Sequence, residues 1–169
     1  APLQVEQLPI PSDKLVGQKL GDYLVQELLA KGGMGAVYRG VQPLIGKQVA
    51  IKVLLTAGPA ELNYAQRMLE EARTVNAIRH SAIVDIFGFG TLPRTGQPYI
   101  VMDLLEGEPL DAWVKREAPA PFKKVAPILD EILGALYAAH GAGVIHRDLK
   151  ASNVFLVDQP QGMPLVKKE

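Results

Sequence analysis

The chain has 169 residues, 48% apolar and 21% charged, a texture ordinary for a soluble globular protein and a length that suits one domain or part of a larger one. Its 18 lysines and arginines balance 18 aspartates and glutamates, which removes any electrostatic reason to expect nucleic acid or an anionic membrane as partner. With no cysteine there are no disulfides or thiolate metal sites, and the longest apolar run, ILGALYAA at 132–139, is too short to span a bilayer; with no signal-peptide pattern at the start, a cytoplasmic location is expected.

Residues 1–20 contain Pro2, Pro9 and Pro11 and show no clean period, which predicts a leader or linker. Three strands are predicted next, over DYLVQELL (22–29), AVYRGV (36–41) and KQVAIKVLL (47–55), joined by glycine-bearing turns. Leu62, Ala65, Leu69 and Ala72, with Met68 and Val75 beside them, recur at helical spacing. Gly58-Pro59 precedes them, and proline is favoured in a first helical turn. Two more strands follow, AIVDIFGFG (82–90) and PYIVMDLL (98–105). The pattern therefore predicts a five-stranded antiparallel sheet with one helix.

The second part differs. A short helix is predicted over Pro109–Glu117. After APAP comes a stronger one, with Val125, Ile128, Leu129, Ile132, Leu133 and Leu136 on one stripe. Pro127 belongs in its first turn, or else kinks it. Gly141 and Gly143 end it. ILGALYAA is apolar nearly all round, so this helix asks for cover on more than one side. Little chain remains to supply that cover, and exposed apolar surface is expected over Val125–His140.

The stretch AKGGMGAVY carries Gly32, Gly33 and Gly35. By itself such a cluster suits a flexible hairpin turn as well as a phosphate site. A Walker loop needs Lys-Ser or Lys-Thr after the last glycine, which is absent. A dinucleotide fold needs a helix after the loop, whereas AVYRGV reads as a strand. A glycine loop between two strands can instead fold over phosphates, its backbone N–H groups close to the oxygens.

Three further pieces stand in order: VAIK (49–52) on the third strand, RMLEEA with Glu71 beside the apolar stripe, and HRDLKASN (146–153). Together with the glycine loop they resemble the protein-kinase family. The wording GGMGAVYRG is most similar to bacterial Hanks-type (eukaryotic-like) serine/threonine kinases. The resemblance runs from about Asp22 to Val166. It implies an α+β, protein-kinase-like fold: a five-stranded antiparallel N-lobe with helix C over 21–105, then a hinge and the first, incomplete part of the helical C-lobe over 106–169.

The resemblance also implies roles. Phosphoryl transfer asks a protein mainly to position groups and neutralise charge. Lys52 would hold the α- and β-phosphates of ATP, and Glu71 would hold Lys52 as an ion pair. Asp148 would accept the proton of a serine or threonine hydroxyl on a protein substrate. Lys150 would neutralise charge on the transferred phosphate, and Asn153 would offer a neutral oxygen to Mg²⁺. His146 would brace the catalytic loop, and Arg147 would pair with a phosphorylated activation loop. Ala30, Lys31, Gly32, Gly33 and Gly35 would form the phosphate loop. Met102 would be the gatekeeper, with the Asp103 carbonyl and Leu105 amide at the adenine edge. Val37 and Ala50 would cover the ring from above and Phe155 from below. Plain core packing is the alternative for each of these apolar residues.

Two departures matter. The first loop glycine of the family is Ala30 here, which ordinary strand dihedrals accommodate. More seriously, no Asp-Phe-Gly occurs in the 169 residues, and its aspartate is the family's main Mg²⁺ ligand. Asn153 alone is a poor site for an ion that favours carboxylate and phosphate oxygens. A truncated chain with little activity of its own is therefore expected. The runner-up is a non-catalytic, pseudokinase-like module that holds nucleotide or a partner, such as a second kinase in a dimer.

Overall fold

The structure is a computed structural model. It describes residues 14–32, 35–54, 61–146, 149–158 and 165–168, with the backbone alone for 61–65, 67, 68, 71 and 165–168. The chain divides into two compact units, 1–69 with 86–104, and 70–85 with 105–169.

The first unit is built on one antiparallel sheet. Its strands are β1 (Lys19–Leu20), β2 (Tyr23–Gly32), β3 (Gly35–Gln42), β4 (Lys47–Leu54), β5 (Ile86–Thr91) and β6 (Pro98–Asp103), in the order β1-β2-β3-β4-β6-β5. There are six strands rather than the expected five. The extra one is β1, whose Leu20 faces Tyr23 across a tight turn at Gly21-Asp22. Two residues carry no readable alternation, which is why the sequence reads there as a linker. Leu15 and Leu20 are nonetheless buried with the sheet's apolar core.

Register explains the two faces of this sheet. Directly opposed residues on neighbouring strands point to the same side. Tyr38 opposes Ile51, and Ile51 opposes Val101. Ala36 opposes Val53, and Val53 opposes Tyr99. All of these are buried in one cluster with Val25, Val49 and Leu92. β-Branched and aromatic side chains at alternate positions thus give one face a dry core. The fifth strand begins later than the sequence suggests. Ala82, Ile83 and Val84 precede it and are buried, but Ala82 and Ile83 pack in the second unit's core, so their apolar run reflects burial rather than strand geometry.

Helix α1 (Glu61–Ala77) matches the predicted helix. The division between the units falls within it, after Leu69.

The second unit contains the C-terminal part of α1, then β7 (Gly107–Pro109), α2 (Leu110–Glu117), α3 (Phe122–Gly141), β8 (Val154–Val157) and β9 (Leu165–Lys168). The three strands form a small antiparallel sheet in the order β7-β8-β9. Pro109 caps α2 with extended backbone rather than lying inside it. Pro127 is the sixth residue of α3, so it lies within the helix and not in its first turn; the helix starts as early as Phe122 because Pro121 can precede a first turn without needing its own N–H. Two clusters hold the unit. Ile78, Ala82 and Ile83 pack with Ala135 and Ala139. Ile128 packs with Val154 and Leu156, against Leu110, Trp113 and Ile132.

The all-round apolar character of α3 is not matched by burial. Leu129, Leu133 and Tyr137 are 47%, 63% and 84% exposed, and Phe122 is 79% exposed. The exposed apolar surface expected of this helix is present. No helix among the described residues is long and apolar enough to cross a membrane.

Candidate functional site

The sheet face opposite the dry core carries the candidate nucleotide residues of the first unit. Gly32 opposes Gly35, and Ala30 opposes Val37. Val37 opposes Lys52, and Lys52 opposes Ile100. Ala50 opposes Met102. Six sequence-picked residues besides Gly35 (Ala30, Gly32, Val37, Ala50, Lys52 and Met102) therefore share one face with it through continuous ladder pairing. The burial pattern agrees: Val37, Lys52 and Met102 are half-buried, while their strand neighbours Tyr38, Ile51 and Val101 are fully buried on the other side. Ala50 is small and only 6% exposed, which leaves this part of the face shallow. Lys31 opposes Ala36 and so belongs to the other face; only its backbone can serve the loop. Asp103 likewise opposes Val49, a core residue, which is compatible with the carbonyl role assigned to it.

Gly35 is needed for a local reason. Its φ is 156°, and a Cβ there would run into the Val53 carbonyl of β4. A side chain could not fit without parting the strands. Gly32 has open space around it. Gly33, at the tip, lies outside the described residues.

In the second unit the loop before β8 carries the other candidates. His146 is half-buried, and Lys150 is exposed. A single tight helical turn, Ala151–Asn153, follows, closed by the Asn153 N–H donating to the Lys150 carbonyl at 2.9 Å. That turn places Lys150 and Asn153 at its two ends. Asp148 and Arg147 lie outside the described residues, as does the side chain of Glu71. Phe155 alternates with Val154 and Leu156, which are buried against α3, so Phe155 points to the opposite side of the small sheet. Leu105 is half-buried on the segment that leads into β7.

The sequence reading missed β7. It pairs Pro109 with Phe155 and Gly107 with Val157, and thereby fixes the strand that carries Phe155. Its signal was Gly107, whose φ is 144° and whose Cβ would collide with the Leu156 carbonyl. Also missed was the charge chain beside it. Arg116 holds Glu108 with two hydrogen bonds at 2.5 and 2.6 Å, and Lys124 donates to Glu117 at 2.8 Å.

The face on β2–β4 and β6 fits a nucleotide: apolar, shallow at Ala50, glycine-edged, and supplied with one cation at Lys52. The fit to Mg²⁺ is poor. No group of three or more His, Cys, Asp or Glu side chains that could hold a metal occurs among the described residues, and the Asn153 amide supplies a single neutral oxygen.

The comparisons agree with this geometry. The family model described as "Protein kinase domain" matches residues 23–167. The serine/threonine-protein kinase Pkn1 of Myxococcus xanthus is 44% identical over 158 residues, which is 92% of this chain and 22% of that protein. The serine/threonine-protein kinase PknA of Mycobacterium tuberculosis is 34% identical over 144 residues, 83% of this chain and 33% of that one. The chain thus spans between a fifth and a third of these relatives. Among solved structures, the PknI kinase domain of M. tuberculosis superposes with a TM-score of 0.72 at 29% identity, covering 90% of this chain and 61% of that one. Rad53 1–466 in complex with AMP-PNP, at 24% identity and a TM-score of 0.73, shows the same fold. The chain belongs to the protein kinase family and, within it, to the bacterial Hanks-type serine/threonine kinases.

Proposed function

We propose that these 169 residues carry the nucleotide-binding and catalytic-loop part of an ATP-dependent protein serine/threonine kinase. The observation that carries this reading is the single sheet face shared by Ala30, Gly32, Gly35, Val37, Ala50, Lys52 and Met102. Bound MgATP would supply the phosphoryl group and the charge of the metal. Val37, Ala50 and Met102 would take the adenine, with Phe155 on its other side and the Asp103 carbonyl and Leu105 amide at its edge. Backbone N–H groups of Ala30 to Gly35 would meet phosphate oxygens. Lys52 would hold the α- and β-phosphates, oriented by Glu71. Asp148 would receive the hydroxyl proton of a serine or threonine, and Lys150 would offset charge at the transferred group. Preorganised charge of this kind is the main lever in phosphoryl transfer. Asn153 would be a metal ligand only in company with others, so we expect no appreciable phosphoryl transfer from this chain by itself.

A second reading is a non-catalytic module that binds nucleotide or a partner. The absence of a carboxylate cluster among the described residues favours it.

Titration with a fluorescent ATP analogue tests the first reading. Lys52→Met keeps the apolar stem and removes the charge, and it should weaken binding by tenfold or more, about 1.5–3 kcal/mol for a charged hydrogen-bonding group. A wild-type chain that binds no nucleotide, or a Lys52→Met chain that binds equally well, defeats it. Transfer of labelled phosphate to a protein substrate, lost in Asp148→Asn, would overturn the expectation of inactivity.

A further inference from the structure

The connection between α1 and β5 is held in an unusual way. After α1 ends, the Ile83 N–H donates to the His80 carbonyl at 3.0 Å, closing a turn. Inside that turn the His80 ring accepts a hydrogen bond at Nδ1 from the Ala82 N–H at 3.1 Å. An imidazole nitrogen can accept only through its bare lone pair, so the ring proton must sit on Nε2. That nitrogen lies against α3. A Cβ built on Gly134 would stand 3.2 Å from Nε2 and 3.7 Å from Cε1.

Glycine is a poor helix former, and its place in the middle of a 20-residue helix asks for a reason. The His80 ring supplies one. It occupies the space beside Gly134 that a side chain would enter. Around this contact Ile78, Ala82 and Ile83 are buried with Ala135 and Ala139. The ring and the apolar cluster act on the same short segment, which continues directly from the C-terminal half of α1. That half belongs to the same compact unit as α3.

We propose that His80 is a positioning residue: one tautomer of its ring, seated on the bare backbone of Gly134, sets where the C-terminal half of α1 and its Glu71 stand on α3. The inference rests on the proposed function only for the importance it gives Glu71. The seat itself needs no nucleotide.

The test has three readouts. In the wild-type chain, long-range ¹⁵N–¹H correlation spectra should show the His80 proton on Nε2; a proton on Nδ1 overturns the proposal. Second, Asn can reproduce the acceptor, because its side-chain oxygen bonds the N–H two residues on, while filling less space beside α3. Gly134→Ala should therefore lower the melting midpoint of the wild-type chain by about 2–4 °C and raise it by a similar amount in the His80→Asn background. Equal shifts in both backgrounds overturn the proposal. Third, Gly134→Ala should weaken binding of the fluorescent ATP analogue about threefold, with recovery in the double variant. Coupled midpoints with unchanged affinity would reduce His80 to a packing residue and defeat its role toward Glu71. A wild-type chain that binds no nucleotide would instead sink the proposed function, leaving the spectra and the midpoints to decide the seat.

Discussion

Lys52 stands directly opposite Val37 on one side and Ile100 on the other, across two ladders of the same sheet. The pairing sets a charged side chain on an otherwise apolar face, flanked by β-branched residues. Its strand neighbours Ile51 and Val53 are fully buried on the reverse face. Core formation and ligand binding are thereby separated by the two-residue period of β4. The same separation makes Ala50 a sensitive position. It is the small residue next to Lys52 on that face, between Arg39 and Met102. Ala50→Leu should lower affinity for the fluorescent nucleotide by more than tenfold while the chain still melts cooperatively. Parallel titration and thermal melts check this, and an unchanged affinity would place the adenine elsewhere.

A different constraint holds the edge of the sheet. Tyr99 lies across its ladder partner Gly90, and a Cβ on Gly90 would stand 2.5 Å from the Tyr99 hydroxyl and 2.6 Å from Cζ. Burial pushes the Tyr99 hydroxyl above its usual range, in keeping with a ring packed over bare backbone. Gly90→Ala should therefore destabilise the first unit by about 1–3 kcal/mol through overpacking. In a Tyr99→Val background the added methyl has room, so the penalty should shrink well below that. A double-mutant cycle by urea unfolding measures the coupling, and additive effects would contradict the contact.

Much of this fold is legible because its sheet obeys simple rules. The alternation of Tyr38, Ile51 and Val101 with Val37, Lys52 and Met102 is visible as a period of two, and the motifs carry the site. What stayed hidden has physical causes. β1 and β7 are two and three residues long, too short for any period to show. Ala82 to Val84 read as strand because buried apolar runs look alike in strands and turns. The Gly134 contact depends on a ring from a segment far away in sequence, and no local pattern encodes that. Asp148, the residue assigned the proton-accepting role, rests on motif order and not on described geometry.

The charge chain around α2 predicts a pH dependence. Lys124, hydrogen-bonded to Glu117, and then Arg116 hold the Glu117 carboxyl below its ordinary value. A carboxylate whose folded value is lowered adds stability above its unfolded value, near 4.3, and loses it as pH falls through the lowered folded value. Glu117→Gln should thus cost stability at neutral pH and become neutral in strong acid. Because the group is exposed, high salt should shrink the difference too. Urea unfolding of both chains from pH 7 to pH 3 checks the sign; a gap that widens on acidification would contradict it.

Helix α3 offers the last test. Phe122, Leu129, Leu133 and Tyr137 follow one another at spacings of seven, four and four, which places them on one line of an α-helix. All four are exposed, while Ile128, Ala135 and Ala139 on the other side are buried. An exposed apolar line of this length should bind a hydrophobic dye such as anilinonaphthalene sulfonate. Leu133→Glu with Tyr137→Lys places an opposite-charge pair four apart in the favourable order, a gain of about 0.2–0.5 kcal/mol. These side chains contribute little to the core, so the double variant should lose at least half of the dye signal with its melting midpoint unchanged or slightly raised. A midpoint that drops by several degrees would mean that the line is packed in solution, and an undiminished dye signal would place the accessible apolar surface elsewhere.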